Sequence, residues 1–162
     1  MRAYRFALVP LAAALLLSAC TEDTTGPDVG SGTELEATVN GQNLALNLTP
    51  GASTYDAGTK QVFITGTLVG TPSKTILLRF NYDIEKGPFP GTISGNSVNI
   101  VYTEGTTLMY DCPLADNTCT ITVTRSNGQI VDGTFSAMLM ERSDTTKKVT
   151  ITNGQFSVDL TQ

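Results

Sequence analysis

From residue 34 onward, apolar and polar residues alternate with period two in one segment after another. Leu35, Ala37 and Val39 interleave with Glu36, Thr38 and Asn40, and Leu44, Leu46 and Leu48 repeat the pattern. Ile76, Leu78, Phe80 and Tyr82 alternate with Leu77, Arg79 and Asn81; Val98, Ile100 and Tyr102 follow. Ile121 and Val123, then Phe135, Ala137 and Leu139, then Val149 and Ile151, then Phe156, Val158 and Leu160 complete the set. Side chains two residues apart share one face of a strand, so each segment has a buried face and a wet one. Val62-Phe63-Ile64 is apolar at every position and reads as a more covered strand. The 26 threonines agree, because β-branching suits strands and disfavours helices.

Turn chemistry supports the same reading. Asn40-Gly41, Asn127-Gly128 and Asn153-Gly154 each lie between alternating runs. Asn-Gly tolerates the positive φ that a type I′ hairpin demands at both central residues. Lys86 to Gly91, with two prolines, predicts a longer turn. No helical stripe follows residue 20, and residues 105–118 fit neither period. The expectation is an all-β domain over residues 34–162, an antiparallel β-sandwich of about nine or ten strands, with a closed β-barrel as the alternative. One-sided polarity fits both.

The amino terminus follows a different grammar. Arg2 and Arg5 precede an apolar run from Phe6 to Leu17, and Leu17-Ser18-Ala19-Cys20 closes it. A basic start, a short apolar core and small residues before a cut make a secretory signal peptide, residues 1–19. The run falls short of the roughly 20 apolar residues a spanning helix needs. Leu-Ser-Ala-Cys resembles the lipobox of bacterial lipoproteins. That resemblance implies acylation of Cys20, cleavage before it, and anchoring in the cell envelope, with the outer membrane as the expected membrane. One acyl chain holds only marginally, at about 0.8 kcal/mol per buried methylene; two or three hold permanently. Residues 20–33 then form the lipidated Cys and a polar tether with a reach of about 20 Å. Glu22-Asp23 resembles the acidic export tags of some surface lipoproteins, but a plainly soluble tether is the preferred reading.

Within the domain, Ala37-Thr38-Val39-Asn40-Gly41, Gly133-Thr134-Phe135-Ser136 and Val149 through Phe156 resemble a bacterial family of small exported lipoproteins of unknown function. The resemblance spans roughly residues 34–160 and implies an exported all-β domain. It carries no catalytic residue over. A short apolar–polar–Gly–polar–apolar frame recurs around Gly66, Gly133 and Gly154 and reads as convergence, not as a repeat.

Composition bounds the chemistry. The formal charge is −5, and removing Arg2 and Arg5 takes it to −7, which argues against nucleic acid. The count of His is zero, so Ser-His-Asp and Cys-His catalysis and His-based zinc sites are excluded. No phosphate-cradling glycine loop occurs, and no cofactor is expected. With Cys20 taken by lipid, Cys112 and Cys119 remain, an even number in an exported chain, which predicts a disulfide worth about 2.5 kcal/mol in the chain-entropy account. Asp83 and Glu85 could share a strand face as a hydrolytic carboxylate pair, but solubilising charge is the commoner role. Asp111, Asp116 and Asn117 offer oxygen ligands for calcium without a regular calcium loop, so no metal is expected. Tyr55, Phe89, Tyr102 and Tyr110 lie near turns or strand ends, where plugging the ends of the core is the commoner role; Tyr55, Phe89 and Tyr110, in loops 50–60, 86–91 and 105–118, are the candidate ligand contacts. The expected function is binding or structural, without catalysis, toward an envelope protein or a glycan. A barrel carrying a small apolar ligand and a carboxylate hydrolase are the alternatives.

Overall fold

The computed structural model describes residues 33–49, 51–86, 91–113 and 118–160. Cys20 and its tether, Phe89, Asp116 and Asn117 lie outside them. Eleven strands form: β1 (Thr33–Val39), β2 (Gln42–Leu48), β3 (Thr54–Asp56), β4 (Gln61–Leu68), β5 (Lys74–Asn81) and β6 (Gly91–Ser94), then β7 (Val98–Glu104), β8 (Leu108–Asp111), β9 (Cys119–Ser126), β10 (Ile130–Glu141) and β11 (Lys148–Asp159). Two 3-10 turns, Ile84–Lys86 and Gly95–Ser97, sit between strands. All pairings are antiparallel.

The architecture is the barrel, not the sandwich. Eight strands close a ring in the order β11, β1, β2, β4, β5, β7, β8, β10, and β11 pairs back onto β10. β3 lies off β4, and β9 and β6 extend from β10. Alternation places the apolar set inside: Val62, Ile64, Ile76, Leu78, Phe80, Ile100, Ile121, Val123, Val131 and Leu139 are wholly buried. Eight strands enclose a space that side chains can just fill, and this buried apolar set points into it. Phe63, expected to be covered, is half-buried on the outer face.

Closure rests on a bulge. Asn153-Gly154 is not the expected hairpin turn; both lie inside the continuous β11. Asn153 takes φ 51°, and the register against both β1 and β10 slips there by one residue. An extra residue bends its strand and increases its twist, as a closing sheet requires. The insertion also flips the buried parity from Val149 and Ile151 to Phe156 and Val158. Gly133 faces Phe156 across β10 and β11, and Gly154 faces Phe135. A Cβ on Gly154 would lie 2.6 Å from the Phe135 carbonyl oxygen, and one on Gly133 2.5 Å from that of Thr122. The rings of Phe135 and Phe156 occupy the room the glycines leave, with centroids 6.4 Å apart.

The other two Asn-Gly pairs do turn. Asn40 and Gly41 take φ 48° and 82°, as type I′ requires. Only Gly128 is positive in its pair; Asn127 Oδ1 instead accepts the amides of Gln129 and Ile130 at 3.0 and 2.7 Å, which makes a longer loop.

Candidate functional site

Two wall strands break at the same level. β6 and β7 are collinear segments separated by the turn at Gly95–Ser97, and β8 and β9 are separated by an excursion. Along β10, Tyr110 and Asp111 lie opposite Glu141 and Met140, and Cys119 lies opposite Ala137. Thr118 already rejoins the ladder, since the Met138 amide donates to its carbonyl at 3.1 Å. β8 and β9 are therefore one strand with a loop thrown out. The predicted disulfide closes that loop: Cys112 and Cys119 are bonded, with Cα atoms 6.2 Å apart. The Ile100 amide of β7 donates to Cys112 Sγ at 3.1 Å, so the half-cystine caps the ladder where the strand departs.

Outside this break lies a cleft of about 720 Å³. Its floor is the outer face of β4, β5 and β7, where register sets Gln61 beside Asn81 and Phe63 beside Arg79 beside Asn99. One rim is the turn carrying Asn96 and Ser97; the other holds Asp111, the disulfide and Arg142. Arg142 grips Asp111 through Nη2 and Nε, 2.7 and 3.1 Å from Oδ2. Asp111 is thereby committed to an ion pair. Beneath that rim, Glu141 is buried and ion-paired to Lys147 at 3.2 Å. Hydrogen bonds from Ser143 and Lys147 hold its carboxyl below the usual range against the effect of burial.

The cleft's remaining polar side chains differ. Gln61, Asn81, Asn96, Ser97 and Asn99 make no side-chain hydrogen bond among the described residues, and Arg79 makes no ion pair there. The Arg79 guanidinium lies over the Phe63 ring, 5.9 Å from its centroid. Amides offering both donors and acceptors, a planar cation and a concave surface are the usual ingredients of a polar-ligand site.

Of the residues singled out from sequence, Asp111, Cys112 and Cys119 border the cleft, and the others among the described residues lie elsewhere. Asp83 and Glu85 fall together, but both face Lys60, at 3.6 and 3.2 Å. Burial pushes the Asp83 carboxyl up; the Glu85 amide and the ammonium groups of Lys60 and Lys86 outweigh it and hold it low. Hydrogen bonding to Glu85 and Tyr55 raises Lys60 in turn. Tyr55 joins this cluster, its hydroxyl 3.5 Å from Asp83 Oδ1 and its ring 5.9 Å below the Lys60 ammonium. Tyr110 corrects an expectation: it points into the barrel, only 9 % exposed, against Tyr102 at 6.0 Å. Its position next to a loop hid its inward parity. Burial and the neighbouring Glu104 push Tyr102 up to about 12. Among the described residues no group of three or more potential metal ligands forms.

Apart from Asp111 and the two cysteines, the sequence pattern marks the cleft residues at most as the wet side of a strand. Arg79 and Asn81 carried no other signal, because a solvated strand face looks the same. Comparison with protein-family models, curated proteins and solved structures finds no match to this chain.

Proposed function

We propose that this chain is a lipid-anchored cell-envelope protein whose barrel binds a polar ligand in the disulfide-rimmed cleft and catalyses nothing. The observation that carries the binding reading is the convergence on a single concave surface of five polar side chains and one guanidinium that have no side-chain partner among the described residues. The anchor reading rests on residues 1–33: a signal peptide removed before Cys20, acyl chains on Cys20, and a tether.

The barrel's surface supports standing in water. Membrane barrels are apolar outside and polar within; this one is apolar within and carries Glu36, Arg79 and Asn99 outside. No helix among the described residues is long and apolar enough to cross a membrane. The large apolar side chains buried in the barrel, Phe80, Tyr102, Phe135 and Phe156 among them, weigh against an internal carrier, since they compete with a guest for the interior. A carboxylate hydrolase needs one acid kept protonated by a raised pKa, whereas Asp83 shifts down.

Two experiments test this. Cys20→Ser is expected to lose acylation and leave the membrane fraction; a variant that survives high-salt and carbonate washes in that fraction would refute the anchor. For the site, the full-length protein in detergent is applied to an array of envelope polysaccharides, beside the cleft-filling variant Ser97→Trp. Binding lost in that variant is the expected result. Unchanged binding, or turnover of a glycoside or ester panel that disappears in Asp83→Asn, would overturn the reading.

A further inference from the structure

We infer that the cleft recognises an acidic sugar, a uronate, with Arg79 holding its carboxylate; this rests on the cleft being the binding site. Three arginines lie among the described residues. Arg125 is paired to Asp132 and Arg142 to Asp111, both at 2.7 Å. Arg79 has no carboxylate there. Scarcity does not explain this, because Asp and Glu number 15 against 10 Lys and Arg. Arg79 is mid-strand on the cleft floor, exposed, and laid over Phe63. A guanidinium so placed presents a planar fork that matches a carboxylate through two parallel hydrogen bonds.

The surroundings specify the rest of the ligand. Asn99 flanks Arg79 directly across β5 and β7, and Gln61 and Asn81 form the next pair along the strands but one. Asn96 and Ser97 overhang from the turn. Each amide donates and accepts, as each sugar hydroxyl does, so a row of hydroxyls beside one carboxylate satisfies the whole set. A phosphate dianion fits less well. The cleft contains no lysine, and Asp111 and Glu141 border it. A peptide terminus would want apolar side-chain pockets where this floor presents amides. The volume lies in the range of small-ligand clefts.

The test is titration calorimetry on the full-length protein in detergent, with short oligomers of galacturonate, glucuronate and mannuronate, each also as its neutral methyl ester. At least one acid oligomer is expected to bind about tenfold or more tightly than its ester, because only the acid engages the fork. Arg79→Ala is expected to abolish the preference for acid over ester, because the fork that distinguishes them is gone. Arg79→Lys should recover only part, since it restores charge without the fork. Equal binding of acid and ester, or an unaltered acid affinity in Arg79→Ala, overturns the acidic-sugar assignment. So does the failure of every uronate to bind at millimolar concentration. The cleft reading stands or falls separately, on whether Ser97→Trp abolishes binding to the polysaccharide array.

Discussion

The two edges of β10 do opposite things. Along one edge it pairs with β11 from Ile130–Asp159 to Met140–Lys148, interrupted only by the bulge. Along the other it pairs with β9 over Val131–Ala137 and then with β8 at Met140 and Glu141, with the disulfide loop thrown out between. The first edge interlocks glycines with phenylalanine rings and closes the barrel. The second is broken, and its break makes the cleft rim. The same strand thus has a closing seam with β11, where glycines and rings interlock, and a broken seam with β8 and β9, whose break borders the proposed site.

The largest effect expected is at the closing edge. Gly154→Val would drive side-chain atoms into the Phe135 ring and the Phe135 carbonyl, which the β10–β11 pairing fixes in place. Overpacking of this kind costs about 3 kcal/mol. Urea unfolding should show a fall in midpoint with the slope unchanged. A stability loss below that of removing the disulfide would mean that the β10–β11 seam does not carry closure.

Next comes the broken edge. Cys112→Ala with Cys119→Ala frees a loop of eight residues and is expected to cost about 2.5 kcal/mol. The barrel should stay folded, because the strands supply most of the buried area. Binding to the polysaccharide array should weaken as well, since the disulfide forms one rim of the cleft. Stability lost with binding intact would detach the rim from the site.

These two edges were unequally legible in the sequence. Alternation revealed the strands, their inward residues and the all-β class, because period two is a local property. Choosing barrel over sandwich needed the pairing of β1 with β11, a contact between the ends of the domain that no local pattern encodes. The bulge did leave a trace, the parity change between Ile151 and Phe156, but Asn153-Gly154 there has the chemistry of a turn and was read as one. The cysteine pair was legible from its count and setting. The cleft was not: Arg79, Asn81, Asn96 and Asn99 become a group only where two strands break at one level. Tyr110 was misplaced for the converse reason, since a residue at a strand end can still face inward.

A smaller effect is expected with pH. Glu141, Asp83 and Asp144 have carboxyls held below their ordinary values. Their contribution is complete above the ordinary carboxylate range and is lost as pH falls through the lowered values. Lys147, raised by Glu141, and Tyr102, pushed up to about 12, act at the other end; their contribution is complete below about 10 and is lost as pH rises through the folded values. The melting temperature should therefore be flat from about pH 5 to about pH 10 and fall on both sides. Glu141→Gln should make the acid limb shallower. An unchanged acid limb would show that the ion pair beneath the cleft rim contributes nothing to holding β10's broken edge.

The smallest effect is expected where sequence reasoning first looked for chemistry. Lys60→Gln removes the cation between Asp83 and Glu85 and from above Tyr55. Lys60 is 40 % exposed and Glu85 62 %, so water takes over most of the ammonium's role. Exposed pairs contribute little because high dielectric and salt screen them. The melting temperature should change by less than in the disulfide variant, and array binding should not change, because no member of this cluster lines the cleft. The cluster's groups already satisfy one another, whereas the cleft's amides and Arg79 have no side-chain partner among the described residues. Loss of binding in Lys60→Gln, with the melting temperature preserved, would reverse the comparison and move the functional surface from the broken edge of β10 to the Tyr55–Asp83 cluster.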